Sequence, residues 1–137
     1  MITITDYAGK WSTSPDWGTI QQINASELLR RVNLLLDELS KRGVIAKKNP
    51  ITGCLVGGES FGGFRPLSCP IGAPNSAHKQ GEAVDIYDPD NKLDDYITAH
   101  PELLVQFDLY REHPTATLHW LHLSIRAPKS GNRTFLP

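Results

Sequence analysis

The chain has 137 residues, a formal net charge of −1 and 39% hydrophobic residues, as expected for one domain with its own hydrophobic core. A near-neutral charge without a basic stripe argues against nucleic acid as the main partner. No apolar run approaches the roughly 18 residues of a membrane-spanning helix. The first residues lack the basic and apolar regions of a signal peptide. We therefore expect synthesis in the cytoplasm, and any action outside it would need another route of export.

The first predicted element is a helix from Asn24 to Arg42. Asn24 and Glu27 match a capping box, in which two side chains bind the free backbone N–H groups of the first turn. Gly43 stands where a glycine often ends a helix. Apolar residues at helical spacing form a single stripe on this segment: Leu28, Val32, Leu35, Leu36 and Leu39. The pattern predicts a helix that serves as scaffold.

The segment from Asn49 to Pro74 is rich in glycine and proline, which predicts short strands and tight turns, or an ordered loop region. Ordered loops of this length in a small domain are usually functional. The segment contains both cysteines of the chain, Cys54 and Cys69. The sequence leaves three interpretations open for them: buried thiols, a disulfide, or metal ligands.

The second half of the chain predicts two strands, a turn, an interrupted helix and an ordered tail. The predicted helix is interrupted at His100–Pro101, where Pro101 can start a new helical turn. His100 and His113 each precede proline in polar surroundings, so we expect both in solvated loops. In chain order the predicted elements are a strand at 83–87, a turn at 88–91, helix at 93–107, a strand at 118–126 and a surface extension at 127–137.

Candidate metal ligands lie on either side of a glycine. His78 and Asp85 are seven residues apart, and Gly81 between them allows the chain to turn. A third histidine, His119 or His122, lies in the predicted strand near the C-terminus. Nitrogen and oxygen ligands in this combination suit Zn²⁺. Three protein ligands with one open position are typical of a catalytic zinc site, whereas four ligands are typical of a structural one.

Three segments carry a resemblance to a known family. Ser76 to Asp85 reads Ser-x-His-x-x-x-x-x-x-Asp, which looks like the signature of the zinc D-alanyl-D-alanine carboxypeptidases, dipeptidases and phage L-alanyl-D-glutamate endolysins. Gly62–Pro66 resembles the upstream glycine-aromatic-arginine element, and Trp120–Arg126 resembles the closing strand. The similarity spans about residues 57–126. The chain also looks like small phage-type proteins described as peptidase-like C-terminal domains, and hedgehog signalling domains share the fold.

The resemblance implies a role for each matching residue. His78, Asp85 and His122 would be the zinc ligands. Arg65 would bind the substrate carboxylate or the negative charge that develops during the reaction. Ser76 would bind substrate or orient a ligand. For these last two residues, the alternatives are a surface salt bridge for Arg65 and a turn cap for Ser76.

The general base is where this sequence departs from the family. Many members have an acidic residue three positions before the last ligand, and here that position is His119. A neutral imidazole accepts protons near pH 7, so His119 is one candidate base, although strand alternation points it away from His122. Glu112, predicted on the loop before the strand, is the other candidate. Two further alternatives stay open: His119 as third ligand in place of His122, and a cysteine as a fourth ligand that would make the site structural.

Taken together, the sequence predicts a single α+β domain over residues 1–137, with a small antiparallel sheet, helices on one side and a zinc cleft on the other. The resemblance implies a monomeric zinc-dependent hydrolase that cuts peptidoglycan stem peptides at bonds involving D-amino acids. It would reach the cell wall after lysis or export, or as a phage component. The alternative is a module on the same fold that binds peptidoglycan or a protein without cutting.

Overall fold

Four α-helices and a four-stranded sheet form the fold in the computed structural model, which describes residues 1–59 and 61–137. The helices are α1 (Ile4–Ala8), α2 (Thr19–Lys41), α3 (Lys92–Ala99) and α4 (Glu102–Gln106). The strands are β1 (Ala83–Tyr87), β2 (Tyr110–Glu112), β3 (Trp120–Ser124) and β4 (Thr134–Phe135). The α+β prediction is confirmed.

The sheet is mixed, with the strand order β1-β3-β2-β4. β3 pairs antiparallel with both β1 and β2, whereas β4 runs parallel to β2. The prediction of a purely antiparallel sheet is therefore wrong for the last pair. The C-terminal segment returns along β2, where the backbone N–H groups of Arg111 and His113 donate to the carbonyls of Arg133 and Phe135 at 2.7 Å each. The predicted surface extension thus covers a sheet edge that would otherwise expose unpaired backbone groups.

Helix α2 begins at Thr19, five residues before the predicted start at Asn24. The predicted capping box does not form, because Asn24 lies inside the helix and not at its first turn, and the two side chains have other partners. Asn24 Nδ2 donates to the Gln80 carbonyl at 2.9 Å, and the Glu27 carboxylate pairs with Arg30 and Arg31. The buried stripe of the helix agrees with the prediction and comprises Ala25, Leu28, Leu29, Val32, Leu35, Leu36 and Leu39.

The two faces of the sheet have different surroundings. Side chains of neighbouring residues in a strand point to opposite faces, so β1 and β3 each divide their side chains between core and cleft. Val84, Ile86, Leu121 and Leu123 are fully buried in the hydrophobic cluster that also contains the apolar residues of α2 and α3. Asp85 and His122 lie on the other face. This alternation separates the packed side of the sheet from the side that carries chemistry.

The interrupted helix is confirmed as α3 and α4, with the break at His100 and Pro101. The predicted turn before it also forms, since the Asn91 N–H donates to the Asp88 carbonyl at 3.0 Å. The carboxylate of buried Asp88 accepts hydrogen bonds from the N–H groups of Leu93 and Asp94, which caps the first turn of α3. These contacts fix the end of β1 relative to the helical layer.

Candidate metal centre

The register of the sheet brings three polar side chains into one row. Asp85 on β1 is the direct partner of His122 on β3. On the other side of β3, Tyr110 and Arg111 pair with Ser124 and Leu123. Continuing this antiparallel register by one residue places Glu112 beside His122. Residues directly opposite in adjacent strands point to the same face, so Asp85, His122 and Glu112 share the face opposite the core.

His78 reaches this row from a 3₁₀ turn, Ala77–Gln80, that precedes β1. The Ser76 side chain caps the turn by accepting a hydrogen bond from the His78 N–H at 3.3 Å. Gly81 ends the turn with φ +76, and a Cβ there would lie 2.3 Å from the Gln21 carbonyl oxygen, so only glycine fits. His78 Nδ1 donates to the Gly63 carbonyl at 2.9 Å, which leaves Nε2 free to face Asp85.

Three donor atoms from these elements converge. Asp85 Oδ1 lies 3.4 Å from His78 Nε2 and 2.8 Å from His122 Nδ1. Ligand atoms about 2 Å from one zinc ion lie roughly 3 to 3.5 Å apart in a tetrahedral arrangement, so the set fits such an ion with small adjustments. All three residues are buried, and all three donor atoms lie within 4.8 Å of one another. The cluster could therefore hold a metal ion.

The electrostatics of the cluster favour an ionised Asp85. Burial alone raises the pKa of this carboxyl, but the charges and hydrogen bonds of His78 and His122 outweigh it and hold the pKa well below its ordinary value. Burial lowers the pKa of His122, whereas its hydrogen bond to Asp85 and the charges of Asp85 and Glu112 raise it above the ordinary value overall. A carboxylate that stays charged while buried is suited to bind a cation.

Arg65 lies beside the cluster as the resemblance implies. The residue is 9% exposed, and its guanidinium donates from Nε to the Phe61 carbonyl at 2.6 Å and from Nη2 to Asp85 Oδ2 at 3.3 Å. Nη1 has no hydrogen-bond partner among the described residues. A Cβ on Gly72 would lie 2.8 Å from this nitrogen, so the glycine leaves room for the arginine. Arg65 therefore forms a buried salt bridge with Asp85, and its Nη1 group has no partner among the described residues.

A buried lysine supports the loop that holds Arg65. Lys79 is 3% exposed, and its Nζ donates to the carbonyls of Leu67 at 3.3 Å and Cys69 at 3.0 Å. These carbonyls belong to the loop that leads from Arg65 to Gly72. The lysine therefore ties the turn of His78 to the loop against which the guanidinium packs.

The cluster forms the floor of a cleft of about 450 Å³. Glu112 lies in the wall with its Oε2 3.4 Å from His122 Nδ1, on strand β2 and not on the predicted loop. Phe135 of β4 is the register partner of Glu112, and its ring lies edge-on to that of His122. The three-donor cluster thus has Glu112 on one side and Arg65 on the other, and the cleft above it is open to solvent.

The structure corrects the roles predicted for His119. β3 begins at Trp120, and His119 precedes it with φ +73 in an exposed position. Its ring Nδ1 donates to the Pro89 carbonyl at 3.1 Å, and its N–H donates to Asn91 Oδ1 at 2.9 Å. These contacts direct the ring towards the turn after β1. His119 is therefore neither a third ligand nor a base within reach of the cluster.

The remaining predicted candidates also lie apart from the donor set. Cys54 and Cys69 are free thiols and neither belongs to the cluster, in contrast to the interpretations as a disulfide or as a fourth metal ligand. His100 stacks on Tyr96, and exposed His113 bonds Thr115. These histidines have local structural partners, in agreement with their prediction as loop residues.

The sequence does not single out several residues that line the cleft, among them Trp120, Ser124 and Arg126. Strand alternation could have found the first two, because residues two positions before and after His122 share its face. Arg126 lies beyond the end of β3, where alternation no longer applies. Its position depends on contacts with residues distant in the sequence.

No family model, no curated protein and no solved structure matches the chain. Among the residues that the structure describes, no helix combines the length and the apolar character needed to cross a membrane. The functional interpretation therefore rests on the geometry of the site and on the resemblance of its motifs.

Proposed function

We propose that the protein is a zinc-dependent peptidase that cuts peptide bonds in bacterial cell-wall peptides. The observation that carries the proposal is the convergence of His78 Nε2, Asp85 Oδ1 and His122 Nδ1 at the floor of an open cleft. Three ligands from protein leave a coordination position for water or substrate, as in catalytic zinc sites. The choice of peptidoglycan stem peptides comes from the resemblance of the motifs around residues 62–66, 76–85 and 120–126.

Two imidazoles and one carboxylate suit Zn²⁺, and the choice of zinc over the other divalent ions that such a set can hold comes from the resemblance of the motifs. When bound, zinc supplies Lewis acidity, which lowers the pKa of water and polarises a carbonyl. His78 is held for this task by its Nδ1 hydrogen bond to the Gly63 carbonyl, which orients Nε2 into the cluster. Arg65 orients Asp85 in the same way, because its Nη2 donates to Asp85 Oδ2 and leaves Oδ1 facing the cluster.

Glu112 is the general base of the proposed reaction. Its carboxylate lies in the cleft wall beside His122 and is partly exposed, so it can accept a proton from an attacking water and pass it to the leaving amine. Arg65 directs its free Nη1 group towards the side of the cleft formed by Gly72 and Ser76. From there it can donate to the oxygen on which negative charge develops. Ser76 acts as the cap of the His78 turn.

The alternative function is a module that binds peptidoglycan or a protein partner without cutting it. The deciding feature is whether an acid or histidine lies within reach of the cluster. Glu112 meets this requirement, so a candidate base lies beside the cluster even though His119 does not. The geometry therefore favours the peptidase.

The test combines metal content with cleavage of peptidoglycan fragments in the wild type, His78→Ala and His122→Ala. We expect about one zinc per chain in the wild type, and loss of both zinc and cleavage in the two variants. His119→Ala is the matched control, since it removes an exposed histidine outside the cluster and should change neither readout. Zinc without cleavage in the wild type would favour the binding module, and a wild type that binds no zinc would contradict the proposal.

A further inference from the structure

The arginine that ends the cleft wall has donor groups not used by the fold. Arg126 Nε and Nη2 donate to Glu82 Oε1 at 3.1 and 2.7 Å, and Nη1 donates to the Asn75 carbonyl at 2.7 Å. Each Nη carries two N–H groups, so one on each nitrogen has no partner among the described residues. The side chain is 36% exposed and lines the cleft. Arg126 is thus held in one orientation while part of its guanidinium is free.

The surroundings of Arg126 divide the cleft into two unlike walls. One wall contains both arginines of the cleft: Arg65 contacts Gly72, next to Ser76, and Arg126 bonds the adjacent Asn75. The sheet order β1-β3-β2-β4 places Glu112 and Phe135 on the side of His122 away from Asp85, and Pro128 and Pro137 of the C-terminal segment also line the cleft. A peptide that crosses the cluster would therefore have cationic donors on one side and an apolar edge on the other.

The charge balance of the cleft favours an anionic ligand. Arg65 and Arg126 face three carboxylates, those of Asp85 and Glu112 in the cleft and that of Glu82 paired with Arg126, so a divalent cation in the cluster would leave this group with a net charge of about +1. Arginine binds carboxylates through charge-assisted hydrogen bonds, which are stronger when the guanidinium is already oriented. Glu82 supplies that orientation from outside the cleft.

We propose that Arg126 is a specificity-determining residue that binds a carboxylate of the substrate peptide, separate from the bond that is cut. The inference rests on the proposed function for the identity of the substrate. A stem peptide offers two such groups, the α-carboxylate of its γ-linked D-glutamate and its C-terminal carboxylate. Both have the same chemistry, and the experiment distinguishes them.

The experiment measures binding by calorimetry to zinc-loaded protein with Glu112→Gln, so that turnover does not interfere. The probes are L-alanyl-γ-D-glutamyl-L-lysyl-D-alanyl-D-alanine and two analogues, each with one of the two carboxylates replaced by a carboxamide. With Arg126 present, we expect one replacement to weaken binding roughly ten-fold or more. With Arg126→Gln added, that same replacement should change the affinity less than about three-fold, and Arg126→Lys should give an intermediate ratio.

Two further measurements separate specificity from folding. Glu82→Gln removes the ionic bridge but keeps the guanidinium and an oxygen that can accept from it, so a carboxylate preference should persist in reduced form. Zinc content and thermal unfolding are compared across all variants. Equal affinity for all three peptides before Arg126 is changed would overturn the inference. A carboxylate preference that remains in Arg126→Gln would overturn it too. So would a preference that Glu82→Gln abolishes as completely as Arg126→Gln does.

Cleavage by the wild type is followed separately, so that the two proposals fail independently. A carboxylate preference without any cleavage would remove the peptidase and support the role of Arg126 in binding. Cleavage of all three peptides at equal affinity would support the peptidase and overturn the role of Arg126.

Discussion

Two buried aspartates lie on either side of the sheet, and their surroundings differ in kind. Asp85 is 8% exposed, with Oδ1 facing His78 and His122 and Oδ2 bound by Arg65. Asp94 on α3 is fully buried, with Oδ1 bound by Arg111 at 3.2 Å and no hydrogen-bond partner for Oδ2 among the described residues. Burial raises the pKa of Asp94 to about 7, against the opposing charge of Arg111, whereas the pKa of Asp85 is held well below its ordinary value.

The comparison shows that burial of a carboxylate has a different role at each position: Asp85 belongs to the candidate metal site, and Asp94 belongs to the packing between α3 and the sheet. Several donors surround Asp85, keep it ionised and leave it at the floor of a cleft, which is what a cation site requires. Asp94 has one cationic partner and no opening to solvent, and a buried pair of this kind contributes little net stability. Burial and charge alone do not identify a functional carboxylate; the number and convergence of its partners do.

Removing the charge of each aspartate in turn tests the contrast most directly, and only the first removal should have a large effect on metal binding. Asp85→Asn should weaken zinc binding at least about 100-fold, because it removes both a ligand and the anion that the cluster is built around. Asp94→Asn should leave zinc affinity unchanged. Competition against a chelator of known affinity measures both. Equal losses in the two variants would break the contrast between the sites.

A second expectation concerns the acid next to the Asp85 cluster. Glu112→Gln should lower the rate of peptide cleavage roughly 100- to 10,000-fold, since the amide cannot accept the proton, while zinc content stays the same. His119→Gln is the matched control and should cleave at the wild-type rate, because its ring contacts the Pro89 carbonyl outside the cleft. A large loss in His119→Gln with normal cleavage in Glu112→Gln would reverse the assignment.

The Asp94 site predicts a pH dependence of stability. Its folded pKa of about 7 lies above the ordinary 3.8, with Arg111 opposing the rise and Asp88 and Asp95 adding to it. The stabilisation is therefore fully present below about pH 4 and is lost as the pH rises through about 7. Between pH 5 and 8 we expect the free energy of unfolding to fall by about 2 kcal/mol from this group.

Chemical denaturation of the wild type and Asp94→Asn at both pH values measures this change. The amide keeps an acceptor for Arg111 and cannot ionise, so the variant should lose most of the wild-type pH dependence in this interval. If the two proteins show the same slope, then Asp94 does not take up a proton on folding in this pH interval, which would contradict its raised pKa.

The smallest expected effect tests how the cluster is supported from outside. Lys79→Met keeps the aliphatic stem but loses the bonds to the Leu67 and Cys69 carbonyls, so the loop beside Arg65 should loosen and cleavage should slow roughly ten-fold. If the lysine acts through Arg65, the same change in an Arg65→Gln background should have little further effect. Additive losses in this double-mutant cycle would instead indicate a general loss of stability.

Local sequence signals predicted most of the regular structure. They failed where a side chain that could cap its own helix instead bonds a residue distant in the sequence. The buried stripe of α2, the strand at Ala83–Tyr87 and the break at Pro101 depend on spacing and on backbone chemistry, and all three agree with the structure. The start of α2 did not, because Asn24 bonds the Gln80 carbonyl across the fold instead of capping its own helix. The strand β4 carried no local signal, since two residues are too few for a pattern.

For the site, the sequence by itself determined the donor residues and their short-range order. His78 comes before the turn at Gly81, Asp85 follows the turn inside a strand, and His122 lies in a second strand. Only the tertiary structure decided that Glu112 stands beside His122, that His119 turns away, and that Arg126 faces the cleft. The physical reason is that strand pairing and long-range hydrogen bonds join residues tens of positions apart, and no local propensity records which strands will pair.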